Sequence, residues 1–111
     1  MRDEALKLLT DIRIALADIQ AFTEGVRLAD YKADAMRRAA VERKFEIIGE
    51  ACSRLSHRDE SAFEKIPNAP QIIGFRNRLI HGYDAVDDAI VWDVVKNKLP
   101  LLDEEIRKLL T

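Results

Sequence analysis

Eight positions of the chain, RNRLIHGY at residues 76–83, hold two arginines, an asparagine, a histidine and a tyrosine. Histidine titrates near neutrality, so His81 can take a proton from a hydroxyl or return one to a leaving oxygen. Arginine offers a fixed, permanently charged fork that fits phosphate oxygens as they gain charge in a transition state. Arg76 suits that part. Asn77 can orient the phosphate or the histidine, and Arg78 can contact a further phosphate. Together these residue types suit cleavage of an RNA phosphodiester through its ribose 2′-OH. The expectation includes no cofactor and no metal, because His57 and His81 have no ligand spacing on a shared helix face.

Apolar residues at Leu8, Ile12, Ala15, Ile19 and Phe22 step by three and four, which predicts a first helix ending near Gly25. The pattern resumes at Val41, Phe45, Ile48, Cys52 and Leu55, predicting a long second helix from about Tyr31 to Ser56. Ser61 to Lys65 leaves room for one helical turn before Pro67. Asn68, followed three residues later by Gln71, has the spacing of a capping box and predicts a third helix over Ala69 to His81, with Pro70 tolerated in its first turn. Gly82 is expected to end it in the left-handed conformation. Asp84, Asp87 and Asp88 supply acidic caps for a last helix carrying Val91, Val95, Leu99, Leu102, Ile106 and Leu109. Pro100 interrupts its hydrogen bonding but not its phase. The expected fold is all-α: a single domain over 1–111, an antiparallel four-helix-type bundle with a short extra helical turn and a Pro-kinked last helix.

Placed on a wheel at about 100° per residue, Ile72, Phe75 and Leu79 share one arc of the third helix, flanked by Ile73 and Ile80. Arg76 falls among these apolar groups. Its stem must thread the core and its charge be matched, since a buried unpaired charge costs several kcal/mol. Glu42, Glu46 and Glu50 are candidate partners, and the bland reading of Arg76 is a structural ion pair. Gly74, Asn77 and His81 lie on the opposite side. A mid-helix glycine costs about 1 kcal/mol, so Gly74 suggests that another backbone or a ligand comes close. Arg76 and His81 point about 140° apart on a regular helix and cannot meet one small group from the same surface. Either the helix loosens at Gly82, or two copies of the chain share the site across a two-fold axis with their Gly74 faces together.

Charged residues make up 34% and hydrophobic ones 48% of the 111 positions, with 4 Gly and 3 Pro, a balance that fits a soluble helical domain. A net charge of −2 gives no general pull toward nucleic acid, which argues against a bulk RNA or DNA coat. Arg37, Arg38, Arg43, Arg76 and Arg78 remain candidates for a local basic site. No apolar run approaches the roughly 20 residues that span a bilayer, and MRDEALKLL lacks the core of a signal peptide, so a cytoplasmic protein without membrane contact is expected. The single cysteine, Cys52, excludes an internal disulfide. There are no repeats.

RNRLIHGY, with FEIIGEACSRL at 45–55, PQIIGFRNRLIHGYDAVD at 70–87, and VWDVV followed by LPLL, resembles the HEPN domains, specifically their HepT-like branch. That signature is an arginine followed by a polar residue, a histidine four to six residues after the arginine, and a tyrosine two beyond it. Arg76, Asn77, His81 and Tyr83 match it. The resemblance implies a dimerising all-α bundle and a metal-independent endoribonuclease site at the dimer cleft, with Arg76 and His81 catalytic and Asn77 auxiliary. It also implies a toxin paired with an antitoxin nucleotidyltransferase of the MNT type, able to form higher oligomers with it and to silence it by transferring AMP to Tyr83. A phenol carrying nucleotide phosphates beside the histidine would put negative charge where RNA phosphate must bind. The alternative is a nuclease-inactive interaction module that binds a partner nucleotidyltransferase or a nucleotide. Of the remaining residues, Cys52 reads as core filler, His57 as a cation at a helix end, and Trp92 and Tyr31 as core or edge packing rather than base-stacking platforms.

Overall fold

The computed structural model describes residues 3–82 and 86–111. Every regular element among them is helical: α1 (Asp3–Thr23), α2 (Leu28–Ala33), α3 (Ala35–Arg58), α4 (Glu60–Glu64), α5 (Ala69–His81), α6 (Asp88–Asp93), a π-helical turn (Val94–Lys98) and α7 (Leu99–Leu110). Helix α3 is central, with α1 along one side and α5 along another, and α7 returns onto α1. The apolar stripes read from the sequence meet here. Leu9, Ile12 and Ile19 of α1, Val41, Ile48 and Leu55 of α3, and Ile106 of α7 are shut off from solvent. Each buries enough apolar surface to contribute roughly 1.5–3 kcal/mol.

Where α1 stops, its last carbonyls lack intrahelical partners. Cations from two other helices supply them: Arg37 Nη1 donates to Phe22 O at 2.8 Å and Lys96 Nζ to Thr23 O at 3.4 Å. Gly25, at φ +71°, turns the chain out of the helix in a conformation that glycine adopts without steric cost.

Several expectations are corrected. The second helix is not continuous from Tyr31. Asp34 takes an extended backbone, and its side chain accepts from the Arg37 N–H at 3.0 Å, so α3 begins afresh at Ala35 and runs to Arg58. That N–H, with the Arg37 guanidinium, holds the Asp34 carboxyl below the usual carboxylate range. The third helix has the expected bounds without the expected capping. Asn68 is itself left-handed, at φ 59°, and its side chain makes no cap bond. Gly82 sits at φ −121°, outside the left-handed region, with its N–H donating 2.8 Å to Arg78 O. Asp87 caps α6 through the N–H groups of Ala89 and Ile90, as expected. Asp84 lies outside the described residues. The kink attributed to Pro100 takes the form of the π turn, in which the Leu99 N–H reaches Val94 O. Pro100 has no N–H to donate and its ring crowds the carbonyl four residues back, so the helix widens just before it.

Candidate functional site

Helix α5 is carried chiefly by α3, and Arg76 lies in their seam. Its side chain is 18% exposed. It passes directly over Gly49 of α3, where an added Cβ would lie 2.2 Å from Arg76 Cβ and 2.6 Å from its Cγ. Glycine at 49 is what lets the arginine through. The charge is met by Glu50, whose Oε2 lies 3.4 Å from Arg76 Nη2. Of the three candidate partners, Glu46 pairs instead with Arg43 at 3.2 Å. Glu42 is half-buried, its carboxyl pushed above the usual range first by burial and then by neighbouring Asp88. Gly49 was not singled out in the sequence. Its signal, a glycine inside a strongly periodic helix, is the same one that drew notice at Gly74.

On the other side of α5, Gly74, Asn77, Arg78 and His81 are exposed. A Cβ on Gly74 would meet nothing within 4 Å among the described residues. Asn77, Arg78 and His81 line a depression whose floor is apolar, with Phe75 and Leu79 from α5 and Ile90 and Val91 from α6. Gly74 and Arg78 also border a larger groove of about 620 Å³ running to Leu99, Leu101 and Leu102. Helix α5 stays regular to its end, as the Gly82 N–H to Arg78 O bond shows, so it does not loosen to bring Arg76 and His81 together. Arg76 faces α3 while His81 faces the depression beside α6. Tyr83 lies outside the described residues.

The arginines do not form one free basic patch. Arg37, Arg38 and Arg43 are each engaged by a carboxylate, Asp34 at 3.3 Å, Asp88 at 3.7 Å and Glu46 at 3.2 Å respectively. Tyr31 is fully buried and packs against Trp92 with ring centroids 5.0 Å apart, while Lys96 lies over the Trp92 ring at 4.6 Å. Burial first, then the charges of Glu42 and Asp88, push the Tyr31 phenol up. His57 is exposed in the last turn of α3, and Cys52 is buried.

The fold is that of an all-helical bundle, and comparison with known proteins defines its family. The family model described as "Ribonuclease HepT-like" matches residues 12–109, and the chain belongs to that family. It is 38% identical over 100 residues to "Putative RNase MJ1380" of Methanocaldococcus jannaschii, covering 88% of this chain and 89% of that one. It is 34% identical to "Probable ribonuclease HepT" of Thermococcus cleftensis, covering 91% of each. A third relative, "Putative RNase TTE0752" of Caldanaerobacter subterraneus, is 31% identical over 78% of this chain and 77% of its own. No solved structure gives a significant match.

Proposed function

We propose that this chain is a metal-independent endoribonuclease, the toxin of a toxin–antitoxin pair, acting as a homodimer. The observation that carries the reading is the division of α5, with Arg76 anchored on the α3 side and His81 free on the other, in a chain of the HepT-like ribonuclease family. Two copies meeting at their Gly74 faces would bring the helix ends together around one RNA strand. Each side of that face carries exposed apolar surface, Leu101 at 60% and Ile90 at 46%, suited to burial against a second copy.

In the cleft, His81 of one protomer takes the 2′-OH proton and the oxygen attacks the adjacent phosphorus. The P–O5′ bond breaks, and the partner's His81 protonates the departing oxygen. The products are a 2′,3′-cyclic phosphate and a free 5′-OH. Arg76 holds the non-bridging oxygens as charge builds on them, while Asn77 and Arg78 steady the strand. Silencing follows when an MNT-type nucleotidyltransferase directs the Tyr83 oxygen onto the α-phosphorus of ATP, expelling pyrophosphate and leaving AMP beside His81.

The test is cleavage of RNA oligonucleotides by the full chain with chelator present, unmodified and after treatment with the cognate nucleotidyltransferase. Cleavage that is lost in His81→Ala and after AMP transfer supports the reading. A folded, unmodified dimer that cuts none of a varied RNA set overturns it in favour of an interaction module that binds the nucleotidyltransferase.

A further inference from the structure

Arg76 has little freedom along most of its length. Its Cβ and Cγ fill the space left by Gly49, and its Nε is shut off from solvent with no hydrogen-bond partner among the described residues. Only the Nη groups can meet a ligand, and the outer torsions of the side chain decide where they point. Among the described residues one carboxylate pairs with them. Glu50 follows Gly49 directly, reaches Nη2 through Oε2 at 3.4 Å, and through Oε1 accepts from Arg54 Nε at 3.2 Å. The glutamate is therefore held from both sides, in a row running from Arg54 on α3 to Arg76 on α5.

As a staple this row is weak. The Glu50 side chain is 51% exposed and that of Arg54 66%, and ion pairs this open to solvent contribute little to stability. Selecting one orientation of an already confined side chain needs no more than that. We propose that Glu50 is a positioning residue that sets the direction of the Arg76 fork, with Arg54 holding Glu50 in place. The inference rests on the assignment of Arg76 as the phosphate-binding group. Glu50 itself acts only through Arg76 and touches neither RNA nor the reacting atoms.

The test compares wild type, Glu50→Ala, Glu50→Gln, Arg54→Ala and His81→Ala in the full chain, each confirmed as folded by its melting temperature. Two quantities are read: side-chain 15N relaxation at the Arg76 Nε–H group, and steady-state cleavage of a fluorescent RNA oligonucleotide. Glu50→Ala is expected to loosen the Arg76 group and lower kcat about tenfold or more with KM within about twofold, because misplacing a catalytic group costs rate. Glu50→Gln keeps an oxygen for Nη2 and restores most of both. Arg54→Ala has a smaller effect of the same kind. Unchanged relaxation in Glu50→Ala overturns the proposal. So does a lower KM at unchanged kcat, which would make Glu50 a competitor of the phosphate. Wild type as inactive as His81→Ala would refute the nuclease reading by itself, and the relaxation data would still decide whether Glu50 orients Arg76.

Discussion

Two glycines on neighbouring helices, Gly49 and Gly74, incur the same intrinsic penalty, about 1 kcal/mol each in a helix interior. Their surroundings are opposite. A Cβ on Gly49 would collide with Arg76 at 2.2 Å, whereas one on Gly74 would stand in open space. The first glycine has its reason inside the chain, since it opens the seam through which a charged side chain reaches the surface. The second has no such reason among the described residues, and it borders the groove where the dimer reading puts a second copy. The sealed side of α5 holds a group in place; the open side leaves groups free to meet something else.

The sharpest way to break this contrast is on the open side. His81→Ala is expected to abolish RNA cleavage, a loss of at least about 10²-fold, while leaving the melting temperature nearly unchanged because the side chain is exposed. A comparable loss of stability would move His81 into the structural class. Next in size is Gly49→Ala. Overpacking typically costs 1–3 kcal/mol, more than the helix propensity gained, so denaturant unfolding should show net destabilisation, with cleavage reduced as Arg76 is displaced. An unaffected enzyme would show that the seam does not hold Arg76 for catalysis. Gly74→Trp should leave the protomer folded and shift sedimentation from dimer to monomer; a dimer that persists would remove Gly74 from the interface. The smallest effect is a chemical one on the sealed side. Burial pushes the Cys52 thiol up to about 12, so the native protein should resist iodoacetamide at pH 8 and react only on unfolding.

Much of this fold was legible because apolar spacing reports burial directly. The residues assigned to the core stripes of α1, α3 and α7 all pack in or against the core, although Leu9 and Leu16 of α1 join them without having been in the stripe, and Pro67, Pro70 and Gly82 fence α5 at its observed bounds. The cap of α6 at Asp87 was legible, but those of α5 were not. Asn68 and Gly82 carry the right residue types at the right places, yet they adopt other backbone angles because the surrounding chain, not the side chain, sets the turn. Asp34 was hidden for a related reason. Its capping signal lies inside a run whose apolar phase suggests continuity, and whether an N-cap interrupts a helix depends on how α2 packs. At the candidate site, the threaded Arg76 followed from the helical wheel, which placed a charge among apolar neighbours, but the spacing of Glu42, Glu46 and Glu50 left three candidate partners, of which the structure selects Glu50. Gly49 did not follow, because the neighbour that fills its vacant volume comes from 27 positions away in the chain.

The π turn at Val94–Lys98 gives the last helical segment a spare residue. A π turn takes up one residue more than an α turn while the helix on either side keeps its facing. Removing a single residue there should regularise the backbone and leave Leu102 and Ile106 pointing inward. The same deletion within α3 would rotate everything beyond it by about 100° and expose the core stripe. Among sequences of different length that adopt this bundle, insertions and deletions should therefore gather just before Pro100 and avoid the stretch around Gly49.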